Sequence, residues 1–326
     1  MRKNLIIFLI IWKKDKYQES MSKKKISKFN LSNFEGIFPI IYSFFNKNNS
    51  LDTKAIIEEI NIIQSIGAQG IASLGLATEV NKLSFKEKTK IIEIVSENWK
   101  SNLPKAYTIY GNSLNEYIKL IDVAKKNKAD WIILQPLIKR NTTDEDCYKF
   151  FKKLIPVAND TIVGIQNAKE YLGVGLSVNK IKKLSNSFPN FRVIKNESSS
   201  VFIKEEIKQL SKDIRMFNGR GGQEIIDNFQ VGCKGIVPAL EMADKFIKIY
   251  KLIKNKEIKK ANTQYTQIAP DIIFVMQSID TLITYGKRIC GYRMGMKDIY
   301  DRKPILKPTQ YGMIKAKQIA KNLGKF

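Results

Sequence analysis

The chain has 326 residues, enough to bury a large core, and its 44% hydrophobic content fits a globular protein rather than a disordered one. It carries 56 Lys and Arg against 31 Asp and Glu, a formal net charge of +25, and no histidine. The missing histidine excludes His-based zinc sites and Ser-His or Cys-His nucleophile systems, leaving carboxylates, lysine, tyrosine or water to move protons. Cys147, Cys233 and Cys290 lie far apart and offer neither a C-x-x-C motif nor a disulfide framework. The lysines are scattered and form no basic tract with interleaved aromatics, so solvated helix faces are a better reading of the charge than a nucleic-acid or membrane partner.

In chain order, the N-terminus reads MRKNLIIFLIIWKK. Its apolar run, Leu5–Trp12, is too short to span a bilayer, and no small-residue cleavage site follows it. Residues 1–33 are read as an extension outside the fold, with Met21 as a second plausible start. From Phe34 the texture is regular. GIFPIIYSF (36–44) reads as a strand, and Asp52 caps a helix whose isoleucines recur at helical spacing until Gly67 stops it. Strand-like runs follow at 70–75, 105–111, 130–136, 161–167, 191–195, 214–219 and 235–239. Helical patterns follow them at 84–99, 114–127, 144–158, 177–185, 200–210, 223–231 and 242–252.

Eight β-α units with apolar strands mean a parallel sheet covered by helices, and that count favours a closed (β/α)8 TIM barrel. Residues 34–255 are assigned to the barrel. Residues 256–326 read as a C-terminal helical region packed on it. No G-x-G-x-x-G follows the first strand, so no dinucleotide site is expected, and no cofactor or metal is called for. Tyr285, Lys287, Arg288 and Arg293 form a basic cluster there that reads as subunit packing or surface.

Active sites of such barrels lie at the C-terminal strand ends. Those ends are Tyr42, Gly75, Gly111, Gln135, Gln166, Lys195, Gly219 and Pro238. A lysine withdrawn from water gives up its proton more easily, and the free amine can attack a ketone to form a Schiff base. The iminium acidifies the neighbouring carbon. Strand alternation puts Glu197 on the side of Lys195, where a carboxylate could move that proton. On spacing alone, Lys195 could equally be a surface lysine and Glu197 a helix cap.

Four pieces in order resemble the dihydrodipicolinate synthase / N-acetylneuraminate lyase family. They are GIFPIIYSF, the loop GLATEVNKLS (75–84), FRVIKNESS (191–199) and GCKGIVPA (232–239). In the loop, Gly75, Glu79, Leu83 and Ser84 match the family's GTTGE-x-x-x-L pattern. The resemblance maps the Schiff-base lysine onto Lys195 and implies a pyruvate-type 2-keto acid core held as an imine. It also implies a small-molecule substrate, a cytoplasmic enzyme and a homo-oligomer, a tetramer in most of the family. Two threonines that usually meet the substrate carboxylate are Leu76 and Ala77 here, so only backbone N–H groups could serve. The tyrosine usual at the fifth strand end is Gln166, the fourth-strand tyrosine pair is QPLI, and Tyr171 stands where a substrate-binding arginine is usual.

These departures count against a dihydrodipicolinate synthase or a standard neuraminate lyase. Gln166, Glu197 and Glu224 together resemble the branch that includes L-2-keto-3-deoxyarabinonate dehydratase. That likeness implies Lys195 as imine former, Glu197 and Glu224 as the base and acid in either order, and Gln166 as a hydrogen-bonding group. Gly219 and Gly221 belong to the expected binding turn. The expected activity is a dehydratase of a 2-keto-3-deoxy sugar acid. The rivals are pyruvate-dependent aldol cleavage or condensation, and a non-catalytic basic binding protein on a barrel scaffold.

Overall fold

A computed structural model describes residues 30–326; the N-terminal run and most of the expected extension lie outside them. Eight parallel strands carry the fold: β1 Gly36–Ile37, β2 Ile71–Ser73, β3 Lys105–Ile109, β4 Trp131–Leu134, β5 Ile162–Asn167, β6 Phe191–Asn196, β7 Arg215–Asn218 and β8 Gly235–Ile236. Their spatial order is β1-β8-β7-β6-β5-β4-β3-β2, and Ile40 bridges to both Ala72 and Ala239, joining the two edges. The fold is a (β/α)8 TIM barrel.

The first strand is shorter than its apolar sequence predicts. Pro39 has no N–H to give to a ladder, so beyond Ile37 the chain holds its neighbours only through scattered bonds such as Ile40 N to Pro238 O at 2.8 Å. Helices α1 Thr53–Ser65, α2 Phe85–Asn98, α3 Leu114–Lys126 and α4 Asp144–Leu154 cover the first half of the sheet. A single turn, α5 Lys169–Leu172, which periodicity did not predict, precedes α6 Val178–Ser187, α7 Ser200–Gln209, α8 Ile225–Val231 and α9 Ala243–Lys254. Caps set several starts: Ser84 and Thr143 each form a capping box with the acidic residue three positions on.

Aromatic rings fill the barrel interior. Phe38, Trp131 and Phe217 come from different sides of the closed sheet; Phe38 meets both others edge to face, with Phe38 and Phe217 centroids 5.0 Å apart, and Trp131 is tilted against Phe217. Glycine makes room for them: a Cβ on Gly70 would stand 2.5 Å from the Phe38 ring, and one on Gly235 2.3 Å from Phe217.

The C-terminal region is α10 Ile258–Val275, a three-residue turn α11 Ile279–Thr281, a π turn Leu282–Gly286, α12 Lys287–Arg293 and α13 Gln310–Leu323. Within the C-terminal helical region the first helix ends at Met276, and Ser278 starts a new capping box with Thr281. No helix among the described residues is long and apolar enough to cross a membrane.

Candidate active site

Lys195 stands near the end of β6. Its neighbour Asn196 points outward and donates to Glu206 on α7. Past the strand the extended course continues, because Glu197 N donates to Asn167 O at 2.9 Å. Glu197 therefore returns to the inner face with Lys195. Both are buried, and the Lys195 ammonium donates to Glu197 Oε1. Gln166, the register partner of Lys195 on β5, donates from Nε2 to the same oxygen at 2.8 Å. The other oxygen, Glu197 Oε2, has no hydrogen-bond partner.

Lys195 and Glu197 line a narrow cavity of about 30 Å3 at the barrel mouth, and Gln166 stands behind Glu197 without lining it. Gly219 and Gly221 form one side. A Cβ on Gly219 would fall 2.8 Å from Glu197 Cγ and 2.9 Å from Lys195 Cε, so only glycine leaves the pair undisturbed. Leu76 and Ala77 line another side. Among the described residues, no acceptor faces the N–H of either, which leaves two amides able to receive a carboxylate. Ile40, Val237 and Ala239 supply an apolar wall, and Met276, Ile279 and Leu282 of the C-terminal region close the top. Sequence reading did not find this cap; the three residues recur at three-residue intervals, but nothing local says that they fold back over the mouth.

The structure brings Lys195, Glu197, Gln166, Leu76, Ala77, Gly219 and Gly221 together. Gly75 lies beneath the loop, where a Cβ would meet Ile40 Cδ1 at 2.6 Å. Glu224 is not among the cavity's lining residues. Its carboxylate accepts from Ser200 N at 3.2 Å and Ser200 Oγ at 2.9 Å, and pairs with Arg220 at 3.2 Å. It thus serves the N-terminus of α7, where a negative charge is favoured. Tyr171 sits beside Arg220, and burial pushes its phenol upward against the pull of that guanidinium.

The basic cluster in the C-terminal helices requires a correction. Tyr285, Lys287, Arg288 and Arg293 are buried within the chain rather than spread on its surface. Lys287 meets Glu79 at 2.6 Å, Arg288 meets Asp301 at 2.5 Å, and Arg293 meets Asp244 at 2.9 Å. Glu79 also holds Lys82 at 2.6 Å, so the cluster anchors the 75–84 loop to the helical layer. Nearby, Tyr42 donates its hydroxyl to Glu241 at 2.8 Å, and burial pushes the Glu241 carboxyl up to about 6.

Comparison with known proteins agrees with this architecture. An uncharacterized DapA-like lyase of Thermococcus kodakarensis is 22% identical over 288 residues, covering 84% of this chain and 92% of that protein. A 4-hydroxy-tetrahydrodipicolinate synthase of Methanocaldococcus jannaschii is 23% identical, covering 73% of this chain and 81% of its own length. Among solved structures, a catalytic-lysine mutant of the sialic acid aldolase of Ruminococcus gnavus superposes with a TM-score of 0.82 at 17% identity, over 90% of this chain and 98% of that one. The sequence profile of the Dihydrodipicolinate synthetase family matches residues 33–322. The chain belongs to that family of aldolase-like lyases.

Proposed function

We propose that this protein is a Schiff-base lyase in which Lys195 forms the imine, and that its reaction is the dehydration of a 2-keto-3-deoxy sugar acid. One observation carries the proposal: a buried lysine in the barrel mouth is matched to one buried carboxylate whose second oxygen is unengaged.

The proposed sequence is as follows. Lys195 passes a proton to Glu197, and the free amine adds to the C2 carbonyl. Glu197 returns its proton to the carbinolamine hydroxyl, which leaves as water, giving a protonated imine whose positive charge faces the restored Glu197 carboxylate. The Leu76 and Ala77 amides receive the substrate carboxylate. A carboxylate then takes a proton from C3, and the electron pair moves toward the imine nitrogen to give an enamine. The C4–O bond breaks as the hydroxyl accepts a proton and leaves as water. Hydrolysis of the remaining imine restores Lys195 and releases the product.

Glu197 suits both proton transfers, because its side chain lines the cavity and one oxygen is unengaged while the other is fixed by Gln166 and Lys195. Glu224 enters this scheme only if its bonds to Ser200 and Arg220 open. Because the cavity holds about one or two waters, Met276, Ile279 and Leu282 must shift before a keto acid can enter.

The test is borohydride reduction in the presence of pyruvate and of 2-keto-3-deoxy acids, read by intact mass, with product analysis alongside. A stable adduct that is lost in Lys195→Ala places the imine. A dehydrated product supports the hydro-lyase reading, and release of pyruvate would replace it with aldol cleavage. No adduct with any keto acid would overturn the Schiff-base reading.

A further inference from the structure

The inner face of the barrel, at and below the mouth, carries more unengaged polar atoms than the imine chemistry uses, and of the residues that bear them only Glu197 lines the present cavity. The register fixes which side chains face inward: Lys195 pairs with Gln166, Gly164 pairs with Ile133, and Ile133 pairs with Thr108. Parallel partners share a face and alternate residues repeat it, so Thr108 on β3, Gln135 after β4 and Gln166 on β5 all point into the barrel. They are 1%, 4% and 1% exposed. Among the described residues, Thr108 Oγ1, Gln135 Oε1 and Gln166 Oε1 have no hydrogen-bond partner, and neither has Glu197 Oε2 just past the next strand.

Four consecutive strands thus each present one buried, unanswered polar atom on the inner face. Such atoms are costly to bury, so a row of them needs an explanation. Other orphaned atoms exist, among them Trp131 Nε1 and Glu59 Oε2, but they do not form a row at the strand ends. The Gln135 backbone is pinned on both sides, by Ile109 O at 3.2 Å and by the Tyr117 hydroxyl at 2.9 Å, while its side-chain oxygen is unengaged. A Cβ on Gly75 would lie 3.5 Å from Thr108 Oγ1, which puts the carboxylate-binding loop directly over this wall. Opposite stands the apolar wall of Ile40, Val237 and Ala239.

We infer that Thr108 and Gln135 are specificity-determining residues that hydrogen-bond hydroxyl groups on the substrate beyond its reacting carbons. The inference rests on the Schiff-base reading. A polyhydroxylated chain fits a mouth of this kind, with its oxygens toward β3–β5 and its C–H face toward the apolar wall. A keto acid with a hydrocarbon arm would leave the row unanswered.

The experiment measures the concentration giving half-maximal borohydride trapping for pyruvate, 2-oxopentanoate and the 2-keto-3-deoxy pentonate and hexonate acids. Wild type is compared with Thr108→Val and Gln135→Met, both close in size to the original residue. The expected result is that the hydroxylated acids saturate wild type at concentrations at least tenfold below 2-oxopentanoate, and that each variant erodes this ratio by about tenfold. The melting temperature of each unliganded variant is expected to match or exceed that of wild type, since an unanswered polar atom has been removed. A wild type that prefers 2-oxopentanoate, or variants that leave the ratio untouched, would overturn the inference while leaving the imine intact. A fall in melting temperature with no change in ratio would assign both residues to structure and overturn it too. Failure of wild type to trap even pyruvate would remove the Schiff-base reading itself, and this inference with it.

Discussion

Two buried lysine–glutamate pairs sit within the same molecule and are built to opposite ends. Lys287 and Glu79 join the helical layer to the loop, and both oxygens of Glu79 are taken, by Lys287 and Lys82 at 2.6 Å each. Lys195 and Glu197 lie in the mouth, where one carboxylate oxygen is taken and the other is left open beside a cavity. A saturated pair holds segments in place. An unsaturated pair next to space retains the capacity to exchange a partner. Burial does not separate the two pairs; what differs is that one carboxylate has both oxygens engaged and the other has one.

The largest expected effect tests the open pair. Glu197→Gln keeps a side chain of the same size and removes the proton acceptor. Turnover is expected to fall roughly a hundred- to ten-thousand-fold, while borohydride still traps a Lys195 adduct. Loss of trapping together with turnover would mean that Glu197 acts at imine formation rather than at C3.

The saturated pair is tested by denaturation. Lys287→Met leaves Glu79 with Lys82 alone, and the expected loss is about 3 kcal/mol in urea unfolding. By contrast, the double substitution Lys195→Met with Glu197→Gln is expected to unfold no more easily than wild type, because it removes both charges together. Equal costs for the two changes would erase the distinction between the pairs.

A smaller effect concerns Glu241, whose carboxyl burial raises from 4.5 to about 6. A raised carboxyl contributes stability that is fully present below pH 4.5 and is lost as pH rises through about 6. Wild type should therefore lose about 2 kcal/mol relative to Glu241→Gln across that window. A pH-independent difference between the two proteins would mean that Tyr42 and Arg293 already compensate the buried charge.

The barrel was legible because each unit repeats one local signal, an apolar run followed by a 3.6-residue periodicity. Lys195 and Glu197 were legible because their separation of two fixes a common face on any strand. Glu224 entered through the likeness to the dehydratase branch, and its tie to Ser200, 24 residues away, has no local trace. The same holds for Lys287, whose partner Glu79 lies 208 residues off, so its charge looked like surface charge. The cap depends on a helix break at Met276 that no proline or glycine announces. Properties set by a residue's own segment were readable, and those set by a distant partner were not.

On the proposed Schiff-base chemistry, the Lys195–Glu197 pair would set where the cost of the reaction falls. Turning an ammonium into a protonated imine exchanges one cation for another and expels a neutral water. The formal charge facing Glu197 is the same before and after. Desolvation of that cation is therefore settled when the chain folds, and it does not recur with each substrate molecule. The one charge newly brought into the mouth is the substrate's own carboxylate, and the amides of Leu76 and Ala77 are the groups placed to receive it.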